Sequence, residues 1–325
     1  MKRLIASVAA VATLLLPGLA SADEWPSRPP TIIVPYSAGG SSDTMARAVA
    51  QFLSEKFGQQ FIIENRGGAG GSIGASAAAK ADPDGYTFLF APTGVAVINK
   101  MVYGNLDYDF EEAFVPVIRL NKSAMVFVAN PEAEANTFAE FVELARAEPG
   151  QLNVGIPGIG STPHMLLAET ARRLDLEVNV IPYKGGGPLS NDLVAGQLMY
   201  GVDGLQGYTS QLSTETLKAL AVGTEDRMSL FPDVPALNET GVEEFADFGT
   251  SGLQSIWAPA GTPDEIIASM NGAINEYLDG EAGKKLLSSM AMDPVGGSPE
   301  DLAAAVDSLT ALWGPVVEQL NIRKD

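Results

Sequence analysis

A chain of 325 residues with 40 acidic and 20 basic side chains has a formal net charge of −20, which repels nucleic acid and anionic lipid and leaves no basic groove for either. It has no cysteine, so disulfides, thiolate metal sites and cysteine nucleophiles are excluded. Hydrophobic residues make up 46%, so the acidity is that of a folded surface, in a chain long enough for two domains.

The first residues read as an export signal. Lys2 and Arg3 precede an apolar run over 4–16, Pro17 and Gly18 break it, and Ala20, Ser21 and Ala22 are small enough for cleavage. The run is shorter than the roughly 20 apolar residues that span a bilayer. Residues 1–22 are therefore expected to be a cleaved signal peptide and the mature protein periplasmic. Cleavage leaves 18 basic against 40 acidic residues, a net charge of −22.

The mature chain then alternates strand and helix. Residues 31–35 read as a buried strand, followed by a glycine loop. A helix follows on which Met45, Val49, Phe52, Leu53 and Phe57 recur at helical spacing until Gly58 stops it. Residues 60–65 form a second strand, 73–80 a small-residue helix, 82–85 a turn and 86–91 a third strand. The pattern restarts with a strand at 124–131 and a helix marked by Phe138, Phe141, Val142 and Leu144. A strand within 149–156, a helix over 163–174, a strand at 178–183, a loop-to-helix segment and a strand at 217–223 complete it. From Gly261 onward the chain reads as mostly helical, with Trp313 and Val317 facing a core. Such alternation implies parallel pairing with helices on both sheet faces. Two such units predict two lobes joined by crossing strands, with a cleft between them.

Four loops lie where a strand hands over to a helix: "YSAGGSSD" (36–43), "NRGGAGGSIG" (65–74), "PGIGSTPH" (157–164) and "YKGGGP" (183–188). Glycine lets the backbone approach a ligand and aim several N–H groups at it, and each helix start adds about half a positive charge. Ligands of open α/β sheets sit outside the carboxyl ends of the strands, where these loops lie. The four together point to anion binding by backbone dipoles.

Other chemistries fit less well. "GAGGSIG" (68–74) has the glycine spacing G-x-G-x-x-x-G, and the next strand ends in Ala91, Pro92 and Thr93 without an acid for a ribose, so no nucleotide cofactor is expected. "GGSIG" (70–74) formally matches G-x-S-x-G. A serine hydrolase using Ser72 and His164, the one histidine, is thus an alternative, although five residues separate Gly70 from the strand end where a nucleophile elbow turns at once. A single histidine without paired carboxylate spacing argues against a metal site. Asp43 is either a helix N-cap or a residue that orients the first loop.

The chain resembles the periplasmic receptors of tripartite tricarboxylate transporters, the Bug family. The resemblance rests on "WPSRPPTIIVPYSAGGSSDTMAR", "ENRGGAGGSIGA", "ADPDGYTFLFAPTG", "GIGSTPHMLLAE", "IPYKGGGPLSNDLVAGQ", "LKALAVGTEDRMSLFPDVPALNETG" and "APAGTPDEII" in this order. It implies an α/β, two-lobed type II periplasmic binding fold, each lobe a mostly parallel sheet flanked by helices. Lobe 1 would comprise 23–122 and 253–325, and lobe 2 residues 123–252. The implied role is capture of a small carboxylate, a di- or tricarboxylate above all, for the permease subunits of the transporter. The protein would be a monomer without cofactor or enzymatic activity; a ligand-sensing partner of a membrane kinase is a further alternative.

Carried onto this chain, the resemblance assigns ligand contacts to Tyr36, Ser37, Ala38, Gly39, Gly40 and Asp43 in the first loop, Gly70 and Gly71 in the second, and Thr93 after the third strand. It adds Gly158, Gly160, Ser161 and His164 in lobe 2, with Tyr183 and Asp203 beside them. Ser161 and the amides around Gly160 are expected to grip one ligand carboxylate. Two positions depart from the pattern: Ala38 stands for a proline and Leu253 for a tryptophan, which marks one wall of the pocket as different.

Overall fold

The computed structural model describes residues 25–159, 161–183 and 185–322. The expected signal peptide, Gly160 and Lys184 lie outside the described residues. Strands run in chain order as β1 (Thr31–Val34), β2 (Ile62–Asn65), β3 (Thr87–Pro92), β4 (Phe114–Ser123), β5 (Met125–Ala129), β6 (Asn153–Ile156), β7 (Asn179–Pro182), β8 (Tyr200–Gly204), β9 (Lys218–Val222), β10 (Gly252–Pro259) and β11 (Met292–Pro294). They form two sheets. One has six strands in the order β11-β4-β10-β3-β1-β2, the other five in the order β7-β6-β8-β5-β9.

The loop–helix units behave as the alternation predicts. β1 pairs parallel with β2 and β3, and β6 with β7 and β8. The sheets as wholes are mixed, however, and the expectation of mostly parallel pairing is corrected. β10 runs antiparallel to β3 and β4, β11 to β4, and β5 to β8 and β9. β4 and β10 meet at the passage between lobes, and antiparallel neighbours need no covering crossover helix. Pro116 within β4 cannot donate to a ladder; it lies opposite Trp257, at a register shift of β10.

Helices supply the outer layers. On Ser41–Phe57, Met45, Val49 and Leu53 are fully buried and pack with Phe88, Phe90, Ile256 and Met270 of the helix Asp264–Asp279. Each such side chain contributes roughly 1.5–3 kcal/mol. Gly58 ends the first helix at φ 68°, its N–H bonded to the Ser54 carbonyl at 3.0 Å, a left-handed stop that glycine adopts without a Cβ penalty. The second sheet's core gathers Phe127, Phe138, Phe141 and Tyr200. The helix Pro299–Leu320, with Trp313 fully buried, packs against both β4 and the helix Thr162–Leu174, and so touches both lobes.

The chain passes between lobes twice. Ala124 joins β4 to β5, and residues 223–251 lead back to β10. The two passages touch: Gly223 N donates to the Met125 carbonyl at 2.9 Å and Thr250 N to the Gly223 carbonyl at 2.7 Å.

Candidate ligand-binding site

A cavity of about 420 Å³ lies between the lobes. Its first-lobe wall includes Tyr36, Ser37, Gly40, Ser41, Ser42, Thr93 and Gly94, its second-lobe wall Pro157, Thr162, Pro163, Asp203, Gly204 and Gln206. Ser123, Ala124 and Met125 from one passage, and Gly252, Leu253 and Gln254 from the other, form part of the lining. Among the described residues the lining contains no Lys, Arg or His, and Asp203 is its one charged residue.

The first loop leaves its donors open. Gly40 is the N-cap of Ser41–Phe57 and offers no side-chain cap. The first backbone bond of the helix is Thr44 N to the Gly40 carbonyl at 2.9 Å, so the amides of Ser41, Ser42 and Asp43 are the orphan donors of the helix start. The hydroxyls of Ser41 and Ser42, both on the cavity wall, make no hydrogen bond within the described protein. Such a start is a ready anion seat.

Asp43 fixes this loop from behind. Its side chain is 6% exposed and is absent from the cavity wall. Oδ2 accepts from Gly39 N at 2.9 Å and Arg47 Nε at 3.0 Å, and Oδ1 from Asn65 Nδ2 at 2.9 Å. Asn65 Nδ2 also reaches the Tyr36 carbonyl at 3.1 Å. The Arg47 hydrogen bond, helped by Gly39 and Asn65, holds the Asp43 carboxyl down at a pKa of about 2. Asp43 therefore orients the loop rather than lining the site. Tyr36 stands at the other end of the loop, its pKa pushed up to about 12, chiefly by burial and further by Tyr103 and Tyr108.

In the second lobe the cap hydroxyl is used within its own loop. Ser161 is the N-cap of Thr162–Leu174; its Oγ accepts from His164 N at 3.3 Å and donates to the Gly158 carbonyl at 2.8 Å. Pro163 has no N–H to offer. His164 is 6% exposed, and burial lowers its pKa. Asp203 accepts from Gly204 N at 2.7 Å and from the Tyr208 hydroxyl at 3.2 Å; burial raises its pKa.

Of the expected contacts, Tyr36, Ser37, Gly40, Thr93 and Asp203 lie on the wall, and so does the departure Leu253. Ala38, Gly39, Asp43, Gly70, Gly71, Gly158, Ser161, His164 and Tyr183 do not line it. Gly70 and Gly71 pack inward: a Cβ on Gly70 would meet the Tyr103 hydroxyl at 2.8 Å, and one on Gly71 would meet Val95 Cγ2 at 2.6 Å. The Tyr183 hydroxyl donates to Asp192 Oδ2 at 2.8 Å. Apart from Leu253, sequence reasoning missed the wall residues of the two passages, Gln254 above all. Its Oε1 accepts from Asn121 Nδ2 at 2.8 Å. A search confined to glycine loops overlooks strand residues at a crossing.

The hydrolase alternative fails. Ser72 sits in the first lobe and His164 in the second, both off the cavity wall, and Ser72 Oγ accepts from Asn99 Nδ2 at 3.1 Å. Among the described residues, no group of three or more His, Asp or Glu could hold a metal, and no helix is long and apolar enough to cross a membrane.

Two α/β lobes around a cavity walled by helix starts and crossing strands define a bilobal solute-binding receptor. The chain belongs to the tripartite tricarboxylate transporter receptor family, whose profile matches residues 45–322. That family consists of periplasmic solute-binding receptors, not enzymes. Protein BugT of Bordetella pertussis is 32% identical over 98% of this chain and 98% of its own. Among solved structures, an R. palustris protein with adipate is 33% identical, with a TM-score of 0.77 over 92% of this chain and 99% of that one. MatC from Rhodopseudomonas palustris with bound malate is 29% identical, with a TM-score of 0.72 over 90% and 100%.

Proposed function

We propose that this receptor captures a small carboxylate, a di- or tricarboxylate above all, and delivers it to the permease subunits of a tripartite transporter. It works as a periplasmic monomer after loss of residues 1–22. The observation that carries this reading is the pairing of an uncapped helix start at Gly40–Ser42 with a cavity wall that, among the described residues, has no cationic side chain. A carboxylate is then held by amides and hydroxyls, so no side-chain cation is needed. The adipate and malate in the two R. palustris proteins support the substrate class.

In this reading lobe 1 comprises 23–122 and 253–325, and lobe 2 residues 123–252. A ligand touching both interacts fully only when they close, so it shifts the population toward the closed form. A thermal-shift screen against linear and hydroxylated di- and tricarboxylates tests the reading. A ligand at 100 times its Kd stabilises by about 2.7 kcal/mol, so a cognate acid raises Tm clearly. No response to any carboxylate, with a response to a neutral solute, would overturn it.

A further inference from the structure

A second cavity, of about 320 Å³, shares no lining residue with the ligand cleft. Arg119 of β4 lines it together with Ser251, which precedes β10, and with Ser308 and Leu312 of the C-terminal helix Pro299–Leu320; Arg173 and Phe248 contribute from the second lobe. Eight arginines lie among the described residues, and seven have a carboxylate within salt-bridge distance. Arg119 is the exception, in a chain with twice as many acidic as basic side chains.

Among the described residues, the hydrogen-bond partners of Arg119 are neutral. Its Nε donates to the Asn121 carbonyl at 3.1 Å and its Nη2 to Ser251 Oγ at 2.7 Å. A guanidinium carries five N–H donors, so the outer edge formed by Nη1 and the second Nη2 hydrogen is unspent. The side chain is largely withdrawn from water, and that burial pushes its pKa down. A cation so placed is costly without a counter-ion. The two bonds to Asn121 and Ser251 also hold its plane, which presets a fork for two oxygens of one anion.

Charges around the cavity narrow the class. Glu225 and Asp247 also line it, and the Asp247 side chain is 93% exposed. Glu225 acts on Arg119 at longer range and does not pair with it. Two carboxylates at a water-exposed rim disfavour a polyanion, whereas a compact monoanion leaves them solvated. Arg173 is already committed to Glu169 at 2.7 Å. Leu312 supplies an apolar side for a short hydrocarbon body.

We propose that this cavity is a second anion site, taking a free small monocarboxylate whose two oxygens bridge the open edge of the Arg119 guanidinium. Its walls come from both lobes, so an anion seated there contacts both.

The test uses acetate as probe, titrated into the whole mature protein to about 50 mM, well above a millimolar Kd. It is followed by NMR through the Arg119 Nε–H and the amides of Ser251 and Gly249. A saturable shift at these three signals is expected, with no such shift from potassium chloride at matched ionic strength. Arg119→Lys keeps the cation and removes the fork; it should weaken acetate at this site at least roughly tenfold, the loss of one charge-assisted bond. Arg119→Gln should abolish the response there, while acetate-induced shifts at Ser42 in the ligand cleft persist. No saturable shift at Arg119, an equal shift from chloride, or an unchanged response at Ser251 in Arg119→Gln would each overturn the proposal. The last outcome would trace the signal to the cleft and leave the cleft's own assignment intact.

Discussion

In the first lobe the helix Ser41–Phe57 starts on Gly40 with no side-chain cap, and its Ser41 and Ser42 hydroxyls stay open toward the cavity. In the second, the helix Thr162–Leu174 starts on Ser161, whose hydroxyl is used on Gly158 and His164, with Pro163 two residues further on. Both starts border the same cavity, yet the serine hydroxyls at the first stay open while the cap hydroxyl at the second is bonded inside its own loop. The open start is affordable because a residue outside the cavity, Asp43, ties Gly39, Arg47 and Asn65 together behind it. A glycine loop read in sequence does not distinguish an open helix start from a capped one.

The largest expected effect comes from breaking the tie behind the open loop. Asp43→Ala should cost about 2–3 kcal/mol at neutral pH by denaturant unfolding, since it removes an ionised hub and leaves Gly39 N unsatisfied. The pH dependence has a definite sign. The folded pKa, about 2, is depressed below the roughly 3.9 of an unfolded aspartate. The ionic contribution is therefore complete above pH 4 and lost as the pH falls toward 2. With Arg47 half exposed and partly screened, that portion is on the order of 1–2 kcal/mol. Measured between pH 7 and pH 3, the gap between Asp43→Asn and the parent should shrink; a constant gap would mean that the charge is not what matters.

Next come the two serines. Ser42→Ala should weaken carboxylate binding by about 1.5–3 kcal/mol, the range for a hydrogen bond to a charged group, with little change in Tm. Ser161→Ala should do the reverse, lowering stability by about 1 kcal/mol through the lost N-cap while calorimetric affinity stays close to the parent's. Interchanged outcomes would place the ligand on the second lobe. The smallest effect belongs to Gly187, where a Cβ meets nothing within 4 Å. Gly187→Ala should change stability by less than about 0.5 kcal/mol, which would show that glycine there is no packing requirement.

Much of the fold could be read from sequence where periodicity was strong. Met45, Val49 and Leu53 announced a helix and are all buried, and the strands at 62–65, 87–92 and 179–182 fall within or beside their expected spans. The strands that escaped notice have weak local signals for physical reasons. β4 contains Pro116, and β10 reads "GLQSIWAP" without alternation because seven of its eight residues are buried. These two strands also carry the antiparallel half of the first sheet, so the sheet direction was misread with them. The site was legible as loops and the family pattern supplied its residues, but only coordinates separate Ser42 on the wall from Ser161 off it. Leu253 is the instructive departure: a residue out of pattern by sequence lies on the cavity wall.

The two sheets also differ in when they can be finished. The second draws on one uninterrupted stretch, from Met125 to Val222, so its last strand is available once that stretch has emerged. The first cannot close until β10 slots between β3 and β4, pairing Ile256 with Phe90 and Ile118 from more than 130 positions earlier. Non-local pairing is slow because loop closure comes before any reward. Until β10 arrives, Phe90 and Ile118, both fully buried at the end, lack their central neighbour. The second sheet can thus be complete while the first is still open along its middle, and the uncapped helix start at Gly40 borders the sheet that waits for β10.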